Sequence, residues 1–171
     1  MVFVEQLGAA TPQELEELSE ILYLTVHGGA SVSFILPFTM DDARAFWEMK
    51  LNEGTRRVLV ARSKGRIAGT VQLDLGMPPN QKHRGEVAKL LVHPEARRQG
   101  IARALMTALE ELARREARTL LTLDTRTGDC AEPLYRSLGY RVAGIIPGYA
   151  RGPITTALEA TTLMYKELPP E

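Results

Sequence analysis

The chain has 171 residues, of which 44% are hydrophobic and 25% are charged, a composition typical of one ordinary folded domain over residues 1–171. Its formal net charge is zero, which excludes recruitment to nucleic acid or to an anionic membrane by overall charge. No apolar run is long enough to span a bilayer, and a single cysteine favours a reducing compartment, so the predicted location is the cytoplasm.

The first third of the chain predicts a strand followed by two helices. Val2–Leu7 alternates closely enough between apolar and polar residues to form a strand. Thr11 and Thr39 each stand three residues before an acidic side chain, which is the capping-box pattern of a helix N-terminus. The two helices are expected to end just after His27 and near Gly54.

The middle of the chain predicts three strands and a long helix. Arg57–Arg62 and Ile67–Leu75 have the period-two pattern of strands and are joined by a short turn, so we expect a hairpin. Glu86–His93 is the third strand, and its apolar run indicates burial on both faces. Apolar residues at helical spacing then predict a helix from near Arg98 to near Arg118.

The last third predicts a strand, a short helix and two final strands. Thr119–Asp124 is the strand, and Asp129–Glu132 has the pattern of a capping box that begins the helix. Tyr140–Ile146 and Ala157–Lys166 are the final strands, separated by the loop PGYARGP. This order of elements predicts an α/β fold in three layers, with helices on both faces of a mixed sheet.

The stretch ARRQGIARAL, residues 96–105, stands where the third middle strand turns into the long helix. A helix N-terminus exposes unpaired N–H groups and the positive end of the helix dipole. Gly100 allows the backbone to approach a ligand closely, and Arg97 and Arg98 add full positive charge. The combination predicts an anion site, although arginines at such a junction are by themselves typical of solvated surface.

Together with the strand before it, this stretch resembles the coenzyme A motif of the GNAT superfamily of N-acetyltransferases. The shared pattern is Leu90-x-Val92 followed by Arg97-x-x-Gly100-x-Ala102 and an amphipathic helix. The resemblance implies a mixed, mostly antiparallel sheet of about seven strands flanked by four helices. It also implies an enzyme that transfers an acetyl group from acetyl-CoA to an amine.

The resemblance covers the chain from Val2 to Lys166. At a finer level, the chain resembles the tabtoxin-resistance acetyltransferases. The segments that carry the finer resemblance are GEVAKLLVHPEARRQG, LTLDT, AEPLYRSLGY and PGY. In many family members an asparagine that contacts the pantetheine arm stands seven residues before the tyrosine that corresponds to Tyr135. Gly128 occupies that position here, so Asp129 or a water is expected to take over the contact.

The resemblance assigns the pyrophosphate to the turn before the long helix and the pantetheine arm to the edge of the preceding strand. In the family this strand carries a bulge that turns an N–H toward the thioester carbonyl, where it acts as an oxyanion hole. The implied cofactor-binding residues are Leu90, Leu91, Val92, Arg97, Arg98, Gln99, Gly100, Ile101 and Ala102. The side chains in the strand are expected to pack in the core, so their proposed role belongs to the backbone.

Two carboxylates are candidates for removing a proton from the amine, because an alkyl ammonium has a pKa of ~10.4. Glu86 lies where several branches of the family place a catalytic glutamate, and period two puts it on the same face as Ala88, Leu90 and Val92. Its alternative is an exposed residue paired with a neighbouring cation. Asp124 ends a strand and could orient the substrate; its alternative is a turn-forming or capping aspartate in DTRTGD.

Three aromatic residues complete the candidate site. Tyr135 lies in LYRSLGY, which matches the family segment whose tyrosine acts as general acid toward the departing thiolate; its alternative is a tyrosine that packs on the sheet. Phe34 and Tyr149 are candidates for the walls of the acceptor pocket, with ordinary core and a turn aromatic as their alternatives. His83 and His93 are too isolated to indicate a metal site.

The predicted function is an N-acetyltransferase acting on a small amine, such as a metabolite, amino acid or antibiotic, by direct attack in a ternary complex. The first alternative is a protein or peptide N-acetyltransferase, which requires an open groove between the loops ASVSFILP and PGYARGP. The second is a non-catalytic acyl-CoA-binding module, which would keep the anion site without an acid or base. Neither nucleic acid nor a membrane is an expected partner, and a homodimer through an edge strand such as Ala157–Lys166 is left open.

Overall fold

The computed structural model describes residues 2–169, which form a seven-stranded sheet with four α-helices. The strands are β1 (Phe3–Leu7), β2 (Arg56–Ser63), β3 (Arg66–Asp74), β4 (Arg84–Val92), β5 (Leu120–Arg126), β6 (Arg141–Arg151) and β7 (Leu158–Glu167). The helices are α1 (Pro12–His27), α2 (Met40–Leu51), α3 (Ile101–Arg115) and α4 (Ala131–Ser137). The predicted fold class and order of elements are confirmed. The predicted domain over residues 1–171 includes Met1, Pro170 and Glu171, which lie outside the described residues, and it stays a prediction.

The sheet is mostly antiparallel, with one parallel pair at its centre. Its strand order is β1-β2-β3-β4-β5-β7-β6, and only β4 and β5 run parallel. This pair is joined through just three residues of each strand, from Arg84 opposite Leu120 to Glu86 opposite Thr122. Beyond Glu86 the two strands diverge, and a gap opens in the middle of the sheet.

Each face of the sheet carries its own apolar layer. On one face α1 and α2 pack with Leu18, Leu22 and Trp47 fully buried. On the other face the buried residues of α3, Leu105 and Leu109 among them, pack with the tyrosines of the α4 region. Alternate residues of the central strands supply both layers, which explains their nearly continuous apolar sequences.

Glycine at position 69 brings the start of α3 close to the sheet. A Cβ at Gly69 would stand 2.8 Å from Cγ2 of Ile101 and 3.0 Å from the carbonyl oxygen of Leu91. Since real Cβ atoms essentially never lie within 3.0 Å of another atom, the glycine lets Ile101 rest directly on β3. The N-terminus of α3 is thereby fixed beside the gap between β4 and β5.

The capping predictions are right for the first two helices and wrong for the fourth. Thr11 and Thr39 form reciprocal capping boxes with Glu14 and Asp42. The predicted box at Asp129–Glu132 does not form, because α4 starts after Cys130 and the Glu132 carboxylate instead accepts from the Gly128 N–H at 3.3 Å. The long helix also begins later than expected, at Ile101 rather than near Arg98.

The C-terminal strands correct two further predictions. Most of the expected loop PGYARGP belongs to β6, which continues to Arg151 across a register shift between Ile146 and Ala150. A proline fits there because the shift interrupts the ladder on an edge strand. Ala157–Lys166 is not an edge strand, since β7 lies between β5 and β6.

Candidate active site

The gap between β4 and β5 is a groove of about 850 Å³, called here the β4–β5 groove. Val87–Val92 lines it and pairs with β3 on one side, whereas pairing with β5 stops at Glu86 on the other. Main-chain groups of β4 are therefore left facing the groove. An extended ligand can pair with such a free strand edge as if it were an added strand.

The expected bulge is present in β4, and it is centred on Lys89. The register runs from Gln72 opposite Ala88 to Thr70 opposite Leu91, so β4 has one residue more than β3 over this stretch. Lys89 has a φ of 52°, an uncommon conformation for a residue with a side chain. Strained backbone of this kind is concentrated at functional sites.

The Arg97 turn, residues 97–102, closes one end of the groove. Gly100 is the N-cap of α3 with a φ of 78°, and Arg98 has a φ of 63°. The Ala104 N–H donates to the Gly100 carbonyl at 3.0 Å, so the N–H groups of Ile101 and Ala102 precede the first helical bond and have no partner within the helix. Among residues 2–169, neither Arg97 nor Arg98 pairs with a carboxylate. The turn therefore offers main-chain donors and free positive charge together.

The side chains of the implied cofactor residues have different surroundings. Ile101 and Leu91 are 1% and 2% exposed and belong to the core, so they can offer a ligand only their main chain. Leu90 and Val92 are partly buried and pack against the α3 layer. Arg97, Arg98 and Gln99 are exposed, and Ala102 lines the groove.

Tyr135 and Asp124 line the same groove from α4 and β5. Tyr135 is buried, and burial together with nearby Asp129 and Asp124 raises its pKa above the ordinary value of a tyrosine. Its hydroxyl therefore keeps its proton and is suited to donate a hydrogen bond. Asp124 lies within β5 opposite Leu163, so its turn-forming alternative is excluded.

Glu86 lies on the wall of a second cavity of about 330 Å³, called here the Gln72 cavity. Its side chain is 45% exposed, and its nearest cation is Arg84 at 3.5 Å. Ser33, Ala88 and Lys89 line both the Gln72 cavity and the β4–β5 groove. The two spaces therefore adjoin at the bulge.

The prediction that Glu86 shares a face with Leu90 and Val92 is wrong. Val87 packs in the α3 layer, whereas Leu91, four residues later, packs in the α1–α2 layer. The extra residue at the bulge exchanges the two faces, because each one-residue step turns side chains to the opposite side. Glu86 consequently faces the α2 side, where Phe46 also lines the Gln72 cavity.

The predicted acceptor-side aromatics, Phe34 and Tyr149, line neither cavity. Phe34 packs against Phe38 and Phe46, with ring centroids 4.7 Å and 5.3 Å apart, in the α1–α2 layer. Tyr149 is 52% exposed on β6. Their role as acceptor-binding residues stays a prediction. Two neighbours of Phe34, Ser33 and Phe46, do line the Gln72 cavity.

Two site residues carried no motif in the sequence. Gln72 is fully buried in β3, and Lys89 is the bulge residue. Burial lowers the pKa of Lys89, Arg56 and Lys50 act in the same direction, and Asp124 and Glu86 oppose them. The signal that could have indicated them is the interruption of apolar strands by a polar residue, in VQLD and in VAKLLV.

Gly128 and Cys130 lie at the α4 end of the groove. Gly128 has a φ of 80°, and the adjacent Asp129 lines the groove. That Asp129 replaces the family's asparagine contact stays a prediction. A hydrogen bond with Asp129 raises the pKa of the Cys130 thiol, and partial burial adds to this effect. The thiol is thus held protonated, in agreement with a non-catalytic cysteine.

Over residues 2–169, no group of three or more His, Cys, Asp or Glu side chains is arranged to hold a metal ion. No helix in that same part of the chain is sufficiently long and apolar to cross a membrane.

A sequence model of the acetyltransferase (GNAT) family matches residues 23–140 of the chain. The chain is also similar to an uncharacterized N-acetyltransferase in the hisH-hisA intergenic region of Azospirillum brasilense. The two are 30% identical over 134 residues, which cover 77% of this chain and 80% of that protein.

The same fold is found in solved structures. A ribosomal-protein-alanine N-acetyltransferase from Brucella melitensis has a TM-score of 0.81 and 23% identity, over 97% of this chain and 99% of that one. The protein yncA from Salmonella typhimurium, solved with its cofactor acetyl-CoA, has a TM-score of 0.80 and 20% identity, over 100% of this chain and 96% of that one. At these identities the likeness shows a common fold.

Proposed function

The chain belongs to the acetyltransferase (GNAT) family, whose members use acetyl-CoA, and we propose that it transfers the acetyl group to the amine of a small molecule within a ternary complex. The observation that carries this proposal is the junction of two cavities at the β4 bulge. One is a groove that ends at the Arg97 turn, and the other is a smaller cavity with a carboxylate on its wall.

The groove has the features needed to hold acetyl-CoA. The free N–H groups and the two unpaired arginines of the Arg97 turn would bind the pyrophosphate. The unpaired edge of β4, from Val87 to Val92, would pair with the pantetheine arm. Acetyl-CoA supplies an activated acyl group, and the distorted backbone at Lys89 is the part of β4 best placed to offer an N–H to its carbonyl.

Glu86 is proposed to take the proton from the acceptor amine, directly or through a water. Its side chain is half-exposed at the Gln72 cavity, within two to three residues of the junction formed by Ala88 and Lys89. A positioned carboxylate is a common general base. Asp124, on the opposite side of the junction, is proposed to attract the acceptor ammonium and orient it.

Tyr135 is proposed to donate a proton or hydrogen bond to the departing thiolate. It lines the groove from α4, and its raised pKa keeps the hydroxyl protonated at neutral pH. The thiol that leaves has a pKa of ~8.5, so the donor is a weaker acid than the leaving group. Hydrogen-bond donation that stabilises the thiolate is therefore the main expected effect.

A small acceptor is favoured over a peptide because the two flanking loops touch. The Leu36 N–H donates to the Pro153 carbonyl at 3.1 Å, and the Arg126 guanidinium donates to the Gly29 carbonyl at 3.0 Å. The first contact joins the loops ASVSFILP and PGYARGP, between which a peptide acceptor needs an open groove. The second joins β5 to the residue just before ASVSFILP. The resemblance to tabtoxin-resistance enzymes and the cytoplasmic location stay predictions.

The direct test is to mix the purified protein with acetyl-CoA and a panel of amines and peptides and to follow thiol release. Turnover with free amines and none with peptides would support the proposal. Acetylation of peptides alone would favour a peptide N-acetyltransferase. Tight binding of acetyl-CoA without thiol release, over a broad range of pH and acceptors, would favour a non-catalytic module.

We further propose that a second copy of the chain covers the outer side of β6. This strand is the edge of the sheet, and Ile145, Tyr149 and the neighbouring Leu158 are 56%, 52% and 65% exposed. Clustered apolar exposure at a sheet edge is typical of an interface. Sedimentation equilibrium should show a dimer that Ile145→Arg dissociates, and a monomer at all concentrations would contradict this proposal.

A further inference from the structure

A buried amide without an acceptor lies at the Gln72 cavity. Gln72 is fully buried, and its Nε2 is the atom in question: it has no hydrogen-bond partner among residues 2–169. Leaving a buried donor unsatisfied is destabilising, so each such group in a native protein calls for an explanation. An acceptor atom supplied by a ligand would satisfy this amide.

The orientation of the Gln72 amide is fixed by its neighbour Arg56. The Arg56 guanidinium donates to Oε1 of Gln72 at 3.1 Å and to Asp74 at 2.8 Å. Since a guanidinium has only donors, the oxygen of the amide must face it and the nitrogen must face away. The free group of Gln72 is therefore a hydrogen-bond donor and selects a ligand oxygen.

Most of the charges around the cavity already balance one another. Lys50 pairs with Glu53 at 2.6 Å, and Arg56 pairs with both Glu53 and Asp74. Lys89 is different: its ammonium donates only to the Ser33 hydroxyl at 3.1 Å, and within residues 2–169 no carboxylate pairs with it. One cation at the cavity thus makes no direct ion pair within the described residues.

The surroundings of Lys89 make an added negative charge favourable. Its ammonium lies 5.9 Å from the ring centroid of Phe46, and the Lys50 ammonium lies at the same distance from that ring. Burial lowers the pKa of Lys89, and Arg56 and Lys50 add to this effect. Asp124 and Glu86 oppose it only in part, so the charged form of Lys89 is not fully compensated. A carboxylate would provide the compensation that the protein does not.

We propose that the acceptor is an amine that also carries a carboxylate, and that Gln72 and Lys89 bind this carboxylate in the Gln72 cavity. The proposal rests on the function proposed above and names its substrate class. Glu86, on the same cavity and held only loosely by Arg84, remains available for the amine end of such a molecule. A volume of about 330 Å³ suits a free amino acid.

The test compares free L-amino acids with the matched amines that lack the carboxylate, for example L-leucine with isopentylamine. We expect at least one amino acid to be acetylated with a kcat/KM about tenfold or more above that of its matched amine, as fits one charge-assisted contact. Lys89→Met and the isosteric Gln72→Glu should each raise the KM for that amino acid about tenfold and leave the KM for acetyl-CoA unchanged.

The matched control is Lys64→Met. Lys64 and Lys89 share a φ of 52°, so both substitutions meet the same backbone constraint, but Lys64 lies in the hairpin turn between β2 and β3. Circular dichroism and thermal melting should show that Gln72→Glu remains folded. Lys64→Met should have the parent's kinetic constants.

Equal turnover of amines and amino acids would overturn the carboxylate proposal and leave the acetyltransferase proposal standing. If no acceptor were turned over, calorimetric titration of the amino acids into the CoA-saturated protein would decide the question separately. If an amino acid binds to the parent and not to Lys89→Met, the carboxylate site is supported even without catalysis. Binding of the matched amines with the same affinity, or no binding of any amino acid, would refute it.

Discussion

The Arg97 turn and the Gln72 cavity lie at the two ends of one continuous space, but they are built in different ways. The turn is a single run of six residues whose groups are mostly main-chain N–H, so Gly100 and the position of α3 determine it. The cavity is formed by side chains from α2, β2, β3 and β4. A binding site made of backbone can be shared by a whole family, whereas one made of side chains can differ in every member.

The sharpest test of this difference is a substitution on the cavity side that stops turnover without weakening the binding of the cofactor. Glu86→Gln should lower kcat about 10²- to 10⁴-fold, because a general base is lost. The dissociation constant for CoA, measured by calorimetry, should stay the same. The control is Glu111→Gln, on the exposed side of α3, which should have the parent's activity. If Glu86→Gln were fully active and Asp124→Asn inactive, the general base would be Asp124 instead.

Tyr135→Phe should give the next largest effect, lowering kcat about 10²-fold if the hydroxyl assists the thiolate. Because burial raises the pKa of Tyr135, its proton is lost only as pH rises above the usual tyrosine value of about 10. The pH–rate profile of the parent should therefore show no loss of activity from this group below pH ~10. A loss that begins near neutral pH and disappears in Tyr135→Phe would contradict the assignment.

Two glycines with nearly the same φ allow an effect on stability to be separated from an effect on CoA binding at the Arg97 turn. Gly100 and Gly65 have φ values of 78° and 77°, and a Cβ at either would have no neighbour within 4 Å. Valine at either position should destabilise the fold by about 1–2 kcal/mol, seen as similar drops in thermal midpoint. Only Gly100→Val should also weaken CoA binding, about tenfold or ~1.4 kcal/mol. Equal CoA affinity in both variants would show that the turn does not hold the cofactor.

The arginines of the turn should matter least, because they are exposed and screened. Arg97→Ala and Arg98→Ala should each weaken CoA binding roughly two- to fivefold at low salt. The difference from the parent should shrink as the salt concentration rises. A calorimetric series in sodium chloride measures this, and an effect independent of salt would argue that these side chains make buried contacts instead.

The sequence predicts the helices well where the information is local. The capping boxes at Thr11 and Thr39 and the apolar spacing of α3 each lie within one short segment. The Arg97–Ala102 pattern is local in the same way, and its role in binding the cofactor stays a prediction. The bulge was expected only from the family resemblance, and its effect on the faces of β4 was missed. No periodicity indicates which residue of a strand is the extra one.

The cavity side was largely beyond prediction because its contacts are distant in sequence. Arg56 orients Gln72 from 16 residues away, and Lys89 reaches Ser33 across 56 residues. Burial of Gln72 is visible only once β3 is known to be central to the sheet. The β6 error has a similar origin, since an edge strand tolerates the proline and glycine that otherwise indicate a loop.

The extra residue in β4 makes the length of this strand as important as its composition. Deleting one residue between Glu86 and Val92 would restore uninterrupted pairing with β3. Side chains beyond the deletion would then exchange layers, and Leu91 would leave the α1–α2 layer for the α3 layer. Over evolutionary time this segment should accept the exchange of one apolar residue for another far more readily than an insertion or a deletion.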